Sequence, residues 1–485
     1  MSNNKIKLVP GNPVTVGDAN HRHPPGDILN IKGFYDQDSH IMPDTVKECS
    51  GELVKGHVNR WVEYVPSCYD GKTPVPLVIS QHGGGQSGWG QCYATSWYLV
   101  AEREGFIVIF PDAPDRKTVE EKRSGVGQDF FDINNEMLIA LIDEMKKKYN
   151  IDESRIFMQG MSMGDLETTN FARKHSKLLA GGGCSAGPTN PDNLFDENGK
   201  PRENVGPVPI YQARGTYDNM SIDKRYTRWE INKANRHFWM EINGCSNNPL
   251  IGLDSGECIA YYRGEHADLV YRDVHERGHG QTIDCAERAW QLLFKHTRRN
   301  SDGSIERGEI PEFYDRYAVA IASDCEYAYV DNEKVPVHGK VFEIVQTIQV
   351  PKAFLEGKEI PQGIRMEELE MVEKEIGRHI YTPAKFLETA FGAEVTVDGE
   401  TAVIKIAGRE IQIAKGNTAA IVDGLVERMW RFAEWIDGEP YISIDWIARK
   451  ILRKHVCHLD GVMYINDKPC TLTPDFVNIF REILG

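Results

Sequence analysis

The sequence predicts an α/β protein in which a mostly parallel sheet is flanked by helices and followed by a second, smaller α+β domain. The first observation is an alternation of short apolar strands and amphipathic helices from about residue 58, a pattern typical of parallel strands covered by helices. The second is a change of pattern after the polar stretch 298–309. The third is the length, because 485 residues exceed the roughly 250–300 at which single cores stop growing.

These changes divide the chain into four segments. Residues 1–57 are rich in Pro, Gly, Asn and His and lack periodicity, which predicts an extended leader. Residues 58–298 form the predicted first domain, 299–314 a linker, and 315–485 the second domain.

Hydrophobic spacing defines the elements of the first domain. The apolar run VPLVISQH at 75–82 is typical of a buried strand. Ile133, Met137 and Leu141 fall on one helical face after Asp132, a candidate N-cap. In chain order the predicted elements are a strand at 75–82, a helix at 92–105, a strand at 106–111, a helix at 132–149, a strand at 155–160, a helix running toward Ser176, a strand at 178–184, a strand at 208–215, a helix at 224–242, a strand at 268–275 and a helix at 282–297.

The second domain shows short strands separated by turn signals. Two stretches, beginning at Tyr381 and Tyr441, share an aromatic entry, an amphipathic helix and a hairpin, which indicates an internal repeat of two units. The turn signals are Asp331-Asn332, Asp398-Gly399, Asp423-Gly424 and Asp460-Gly461.

Composition excludes several classes of function. The net charge of −16, from 56 basic and 72 acidic residues, does not suit wrapping nucleic acid. No apolar run approaches the roughly 20 residues needed to span a bilayer. The opening segment has no apolar signal core, so as written the sequence predicts a cytoplasmic chain.

The cysteines and histidines do not predict a metal site. The ten cysteines include no CxxC pair, which removes the usual zinc and redox motifs. Cys245 and Cys258 either bridge a loop or remain free thiols. His21 and His23 are expected in a solvated loop, because no carboxylate or Cys cluster surrounds them.

The sharpest motif is a G-x-S-x-G from Gly160 to Gly164, directly after one predicted strand and before a helix. In that context the serine sits on a tight turn whose flanking glycines allow a strained backbone and a close approach of neighbouring elements. Ser162 is therefore the candidate nucleophile, against the alternative of a structural serine in a glycine turn.

A second motif, His82-Gly83-Gly84-Gly85, ends the strand at 75–82. Attack on an ester carbonyl creates an oxyanion, which backbone N–H groups stabilise, and glycines allow the chain to expose such donors. The expected oxyanion hole combines the amide of Met163 with that of Gly84 or Gly85. The alternative is a flexible glycine turn.

A nucleophilic serine needs a base and an orienting acid, in the order Ser, acid, His in α/β-hydrolases. The best acid is Asp218, on the loop after the strand 208–215, with Asp268 and Asp273 as fallbacks. The best base is His279, which lies between glycines before the last helix of the domain, and His275 is its competitor.

Several segments carry a resemblance to a known family. They are PLVISQHGGGQSG, EREGFIVIFPDAP and the run from Asp132 to Gly164, followed by VPIYQARGTYDNM, EINGC and HERGHGQ. Over roughly residues 58–298 they resemble serine esterases of the polyhydroxybutyrate depolymerase and feruloyl/acetylxylan esterase group. The resemblance implies a secreted-type esterase that acts on acyl groups of plant polysaccharides or on polyesters. It carries over the same nucleophile, acid and base, with Gly84 in the oxyanion loop.

The chain departs from that family at two places. Asp165 stands where the family usually has a small residue, and Gly280-Gln281 stand where it often has Trp-Pro. Both are expected to alter the acyl pocket and hence the choice of substrate. Trp89 and Tyr93 follow the oxyanion loop as candidates for an aromatic subsite, or as ordinary core aromatics.

The second domain carries its own resemblance, through YAYVDNEKVPV, YTPAKFLETAFGAEVTVDGETAVIKI and AAIVDGLVERMWRFAEWIDGEPYISIDWIARKI. These resemble the small domain at the N-terminus of some copper amine oxidases, which also occurs in cell-envelope proteins of Gram-positive bacteria. Copper is not expected, because Cys457 and His458 have no further ligands at useful spacing. The resemblance implies a module at 315–485 that binds a polysaccharide, another polymer or the cell envelope, or pairs chains.

The sequence thus supports a serine carboxylesterase that needs no metal or organic cofactor and acts on a small-molecule or polymeric ester. The family resemblance implies a secreted or cell-envelope location. One alternative is a serine peptidase of the prolyl-oligopeptidase type, which uses the same order of catalytic residues. Another is a non-catalytic binding protein on a hydrolase scaffold.

Overall fold

The described residues fold as two compact units. The first runs from 46 to 314 apart from Leu253–Ser255, and the second joins that short segment to Asp315–Gly485. Among the described helices, none is both long and apolar enough to cross a membrane. His21 and His23 lie outside the described residues. The computed structural model describes residues 46–114, 128–202, 205–218, 224–359, 363 and 365–485.

The first unit is built on a ten-stranded sheet with the order β1-β2-β4-β3-β5-β6-β7-β10-β9-β8. Its strands are β1 (Lys47–Val54), β2 (His57–Tyr64), β3 (Val75–Gln81), β4 (Ile107–Pro111), β5 (Ile151–Met161), β6 (Gly181–Ser185), β7 (Ile210–Gly215), β8 (Leu250–Leu253), β9 (Glu257–Tyr262) and β10 (Leu269–Val274). The strands from β4 to β10 in this order pair in parallel. β3 and β4 are buried at every position, as is typical of parallel strands whose sheet is covered by helices on both faces. The predicted α/β-hydrolase fold is confirmed.

Antiparallel strands extend both edges of this sheet. β1 pairs with β2 and β2 with β4 at one edge, and β9 pairs with β10 toward the other. The predicted leader, 1–57, therefore includes residues of the folded unit, because β1 (Lys47–Val54) already belongs to the sheet. Its sequence, KECSGELV, has exposed and half-buried residues and no fully buried one, so no apolar run indicates a strand there.

The helices of the first unit follow the predicted alternation with two differences. The predicted helix 92–105 is split, because residues 94–96 separate two short helices. Asp132 lies inside a longer helix instead of capping it, and its carboxylate pairs with Lys174 at 2.5 Å. These helices are α1 (Gly88–Tyr93), α2 (Trp97–Glu104), α3 (Gln128–Lys148), α4 (Met163–Lys174), α5 (Pro191–Leu194), α6 (Arg228–Asn243) and α7 (Cys285–Leu292).

An aromatic cluster packs α2 and α7 against the sheet. The rings of Phe157 and Phe294 stack with their centroids 4.6 Å apart, and Phe106 lies 4.3 Å from Trp290. Trp97 stacks on Phe294 at 6.0 Å. Each such pair contributes about 0.5–1.5 kcal/mol beyond the area it buries. The cluster therefore fixes α7, the helix that follows the loop carrying His279.

The segment predicted as a linker, 299–314, is partly folded. β11 (Thr297–Arg299) and β12 (Ile305–Arg307) form an antiparallel hairpin that belongs to the first unit. The buried Arg299 side chain donates hydrogen bonds to the carbonyl oxygens of Leu179 and Pro207. A polar sequence thus docks through hydrogen bonds instead of apolar contacts, and hydrophobic periodicity does not detect it.

The described residues of the second unit form three sheets, in the orders β15-β14-β13-β26-β25, β16-β17-β24-β23 and β18-β19-β20-β21-β22. The strands are β13 (Val319–Ala322), β14 (Tyr327–Val330), β15 (Glu333–Pro336), β16 (Phe342–Pro351), β17 (Met371–Pro383), β18 (Glu394–Asp398), β19 (Thr401–Ile406), β20 (Arg409–Ala414), β21 (Ala419–Val422), β22 (Leu425–Arg428), β23 (Glu434–Ile436), β24 (Glu439–Ser443), β25 (His455–Leu459) and β26 (Val462–Asn466). The α-helices are α8 (Lys352–Leu355), α9 (Phe386–Phe391), α10 (Ile444–Trp446) and α11 (Pro474–Leu484), and a π-helix, Ile447–Ile451, continues α10.

The two related stretches of the second unit have the same order of elements. β17 leads into α9 and the β18–β19 hairpin, and β24 leads into α10 and the β25–β26 hairpin. β17 and β24 pair with each other, so that Tyr381 lies opposite Ser443. The turns Asp423-Gly424 and Asp460-Gly461 have positive φ at both residues, as two-residue hairpin turns of type I′ require.

Candidate active site

Ser162 occupies the single position between the end of β5 and the start of α4. Its backbone has φ 56° and ψ −113°, a strained conformation for a residue with a side chain. The surrounding structure holds this strain: the Ser162 amide donates to the carbonyl oxygen of Ser185 at 2.8 Å, and its own carbonyl accepts from the amide of Leu166 at 3.2 Å. The turn therefore has the geometry of a nucleophile elbow.

The glycines of the elbow are required by close backbone packing. A methyl group on Gly160 would lie 2.1 Å from the carbonyl oxygen of Gly164. One on Gly164 would lie 2.5 Å from the carbonyl oxygen of Gln81, at the end of β3. One on Gly187 would lie 2.0 Å from the carbonyl oxygen of Ser162. Gly187 is part of the site that sequence reasoning missed, because it belongs to no motif.

The three predicted catalytic residues meet at this elbow. The Oγ of Ser162 lies 2.9 Å from Nε2 of His279. On the other side of the imidazole ring, Nδ1 lies 3.1 and 3.2 Å from the two carboxylate oxygens of Asp218. Because a carboxylate accepts, Nδ1 carries the proton and Nε2 is left to accept from the serine hydroxyl. All three residues are at most 8% exposed.

The alternative acids and the alternative base have other partners. Asp273 is buried and lies 3.5 Å from both the Arg228 guanidinium and the Thr216 hydroxyl. Asp268, at the opposite end of β10, accepts from the Tyr261 hydroxyl at 2.6 Å. His275 lies 3.2 Å from the thiol of Cys258.

The glycine-rich loop after β3 lies beside the start of α4. A methyl group on Gly84 would lie 3.8 Å from Cβ of Met163, so the two segments expected to form the oxyanion hole are adjacent. Gly85 has φ 71°, a conformation that favours glycine.

His82 positions the first residues of this loop. The Ala113 amide donates to its Nε2 at 2.9 Å, so Nδ1 carries the proton and donates to the carbonyl oxygen of Gly83 at 2.7 Å. Burial lowers the pKa of the His82 imidazole, which favours this neutral form. His82 therefore has a structural role in this loop.

Asp165 lies beneath the elbow and does not face an open pocket, because it is fully buried. Its carboxylate accepts from the Gly187 amide at 2.8 Å and from Nη1 of Arg214 at 3.0 Å. Burial raises the pKa of the Asp165 carboxyl, although the charge of Arg214 opposes the shift. The expectation that Asp165 alters the acyl pocket is therefore corrected to a supporting role, and Arg214 is a site residue that the sequence did not identify.

Four buried polar side chains form a closed ring of hydrogen bonds beside the catalytic residues. We name this cluster, Ser80, Gln91, Gln159 and Gln281, the glutamine ring. The Ser80 hydroxyl donates to Oε1 of Gln159 at 3.0 Å, and Nε2 of Gln159 donates to Oε1 of Gln281 at 3.0 Å. Nε2 of Gln281 donates to Oε1 of Gln91 at 3.2 Å. Nε2 of Gln91 donates to the Ser80 hydroxyl at 3.0 Å, which closes the ring. The ring joins β3, β5, α1 and the loop of His279.

Of the two candidates for an aromatic subsite, the structure describes the side chain of Trp89. Trp89 is 2% exposed and packs in the core of the first unit, so it is a core residue and lines no open subsite. The side chain of Tyr93 lies outside the described part of the structure.

The geometry is suited to nucleophilic acyl transfer. It provides a strained serine, a base in hydrogen-bond contact with it and a buried acid that orients the base. Within the described ranges, no group of three or more His, Cys, Asp or Glu side chains is placed to hold a metal ion.

Comparison with known proteins gives a family match for the second unit and several relatives. Residues 364–456 match the family described as the copper amine oxidase N-terminal domain. The chain is 32% identical over 149 residues to the bifunctional acetylxylan esterase/xylanase XynS20E of Neocallimastix patriciarum, an alignment that covers 30% of this chain and 19% of the relative. It is 28% identical over 140 residues to feruloyl esterase B of Neurospora crassa, covering 26% and 44%.

Another relative is named as a peptidase. The chain is 29% identical over 130 residues to dipeptidyl-peptidase 5 of Porphyromonas gingivalis, which covers 26% of this chain and 18% of the relative. The chain thus spans less than half the length of each of these relatives.

The resemblance to acetylxylan and feruloyl esterases predicted from the sequence is confirmed.

Proposed function

We propose that this protein is a serine carboxylesterase that hydrolyses acetyl or feruloyl esters of plant polysaccharides, or polyesters, through an acyl-enzyme. The observation that carries the proposal is the bridging position of His279, which contacts both the nucleophile Ser162 and the acid Asp218. The acetylxylan and feruloyl esterases among the relatives supply the substrate class.

In the proposed mechanism, Nε2 of His279 takes the proton of the Ser162 hydroxyl as its Oγ attacks the ester carbonyl carbon. Asp218 keeps the imidazole oriented and stabilises its protonated form. The amides of Met163 and Gly84 stabilise the negative charge on the carbonyl oxygen. Collapse of the tetrahedral intermediate releases the alcohol, which takes the proton from His279. Water then attacks the acyl-enzyme by the same steps in the same site and releases the acid.

A peptidase activity is the second candidate, and the similarity to dipeptidyl-peptidase 5 favours it. The same three residues can cleave an amide. We place the esterase first, because the relatives include both acetylxylan and feruloyl esterases.

Release of product from defined esters tests the proposed function. The full chain is incubated with acetylated xylan, a feruloylated arabinose and an aliphatic polyester, and each ester is matched with an amide of the same acyl group. We expect release from at least one of the three esters at a rate at least about 100-fold above the matching amide, because the alcohol is the better leaving group. Comparable cleavage of ester and amide would favour the peptidase. If neither the esters nor the amides are cleaved, the esterase and the peptidase proposals are both contradicted.

We propose that the second unit places the enzyme on its substrate or on the cell envelope. This role implies a secreted or cell-envelope location. Support comes from its match to a domain that is separate from the hydrolase. Retention of the full chain on insoluble xylan, compared with cellulose and purified cell wall, distinguishes a polysaccharide contact from an envelope contact.

A further inference from the structure

Two cysteines of the second unit lie in direct contact. Cys457 is on β25, which forms the edge of its five-stranded sheet, and Cys470 lies in the segment between β26 and α11. Their sulfur atoms are 3.3 Å apart. The two residues come together because β25 and β26 form a hairpin, in which Cys457 lies opposite Tyr464, and the chain then turns back past the edge strand.

The environment of these thiols favours reaction. Both residues are partly exposed. The hydrogen bond between the two thiols lowers the pKa of Cys470, although burial opposes the shift. The lowered pKa favours the thiolate of Cys470, and the thiolate is the form that attacks a disulfide.

We propose that Cys457 and Cys470 form a redox-active pair that closes to a disulfide by exchange with a disulfide-type oxidant such as glutathione disulfide. The Cys470 thiolate attacks one sulfur of the oxidant, forms a mixed disulfide and releases one thiolate. Cys457, after losing its proton, attacks the sulfur of Cys470 and releases the second thiolate. The protein thiols lose two electrons and two protons in total, and the oxidant becomes two thiols. The link ties edge strand β25 to the segment that leads into α11.

Mapping of oxidised full-length protein tests this pair. The chain is treated with glutathione disulfide, alkylated with iodoacetamide and digested for mass spectrometry. We expect a cross-linked peptide containing Cys457 and Cys470, and its loss after dithiothreitol. The variant Cys457→Ser should instead retain glutathione on Cys470. Cys325, a partly exposed cysteine of the same unit, should remain alkylated as the internal control.

Two results would overturn the redox pair. The first is alkylation of both cysteines after equilibration with excess oxidant. The second is glutathione bound separately to each cysteine of the wild-type chain with no link between them. Because the experiment measures thiol chemistry in the second unit, its outcome is independent of the proposed esterase activity.

A second inference rests on the proposed function and concerns the glutamine ring. Gln281 lies two residues after the proposed base, His279, and is 4% exposed. Nε2 of Gln159 also donates to the carbonyl oxygen of Gly160, the first glycine of the elbow, at 3.2 Å. Oε1 of Gln159 accepts from the indole N–H of Trp97 at 2.9 Å. The ring is therefore bonded to the elbow strand and, through Gln281, to the loop that carries the base.

We infer that Gln281 is a positioning residue, which acts through the ring to hold Nε2 of His279 within reach of the Ser162 hydroxyl. A displacement of about 1 Å at a reacting group costs roughly 100-fold in rate. Without the amide of Gln281, the loop keeps its chain connection to α7 and loses its bonds to Gln159 and Gln91. The His279 loop is then less well fixed relative to the elbow.

The variant Gln281→Met tests this role, because methionine fills a similar volume and makes no amide hydrogen bond. With p-nitrophenyl acetate we expect kcat to fall about 10- to 100-fold while KM stays within about twofold. The rate of Ser162 labelling by a fluorophosphonate should fall in parallel. The matched control is Gln212→Met, which replaces a buried glutamine of β7 that is not one of the four ring members and should leave kcat within about twofold.

A purely structural role would lower the thermal midpoint of Gln281→Met and leave kcat unchanged at a temperature where the variant is folded. That result, or equal loss of kcat in Gln212→Met, would overturn the positioning role. An inactive and unlabelled wild-type chain would instead contradict the proposed function, so the two failures are distinguishable.

Discussion

Replacing Ser162 with alanine should reduce kcat for p-nitrophenyl acetate by at least about 10⁴-fold, since loss of the nucleophile in serine hydrolases removes most of the catalysis of the triad. The fold should persist, because the Ser162 backbone bonds to Ser185 and Leu166 do not involve the hydroxyl. Alanine also tolerates the positive φ of this position no worse than serine does. A fluorophosphonate should label the wild-type chain and leave Ser162→Ala unlabelled.

The matched control for this change is Ser154→Ala, on the same strand. The Ser154 hydroxyl donates to Asp152 at the start of β5, far along the strand from the elbow, so the control should keep wild-type turnover. Wild-type turnover in Ser162→Ala would exclude this serine as the nucleophile. A folded wild-type chain that no fluorophosphonate labels would favour the alternative of a binding protein on a hydrolase scaffold.

The sequence was informative where function depends on local motifs. The elbow of Ser162 and the glycine loop at Gly84 each need particular residue types at fixed spacing on one turn, and that spacing is visible in one dimension. Asp218 and His279 could be placed because each follows a strand whose apolar run predicts it and because the chain order of the three residues is fixed by the fold. The structure brings His279 into contact with both Asp218 and Ser162, and the catalytic roles of the three residues stay predictions.

The support of the site was not predictable, because it depends on pairs that are distant in sequence. Asp165 is hydrogen-bonded to Arg214, which is 49 residues away in the sequence, and Gln281 is hydrogen-bonded to Gln91, which is 190 residues away. Neither pair leaves a local pattern, since a buried polar side chain has the same letter as an exposed one. The sequence comparison did single out Asp165 and Gln281 as departures from the esterase family. Their role as internal hydrogen-bonding groups became evident only from their burial and partners.

The edges of the sheet were missed for a related reason. Central strands such as β3 are buried on both faces and form continuous apolar runs, whereas β1 has only exposed or half-buried residues. The strand at Lys47 is determined by pairing with β2. Trp89 was one of two candidates for an aromatic subsite, and the structure places it in the core. Its position in the sequence did not distinguish the two roles, because an aromatic residue near a site can equally well fill the core.

Replacing Asp165 with alanine should lower the free energy of unfolding of the hydrolase unit by about 3–5 kcal/mol, because it leaves the buried Arg214 guanidinium without its carboxylate. The side chains of this pair are 1% and 2% exposed, so water cannot replace the lost partner. The Gly187 amide loses its acceptor as well, and Gly187 packs directly on the Ser162 carbonyl. We therefore expect kcat to fall together with stability. Urea unfolding followed by esterase turnover and tryptophan fluorescence measures both.

Two variants separate the buried charge from the loss of side-chain contacts. Asp132→Ala breaks a more exposed ion pair with Lys174 in the same unit and should cost less than about 1 kcal/mol. The double variant Asp165→Leu with Arg214→Met removes both charges and should recover much of the stability lost in Asp165→Ala, since paired apolar replacement of a buried ion pair is often neutral. If the double variant is less stable than Asp165→Ala, the carboxylate stabilises the elbow mainly through the Gly187 amide, and the uncompensated charge of Arg214 is not the main cost.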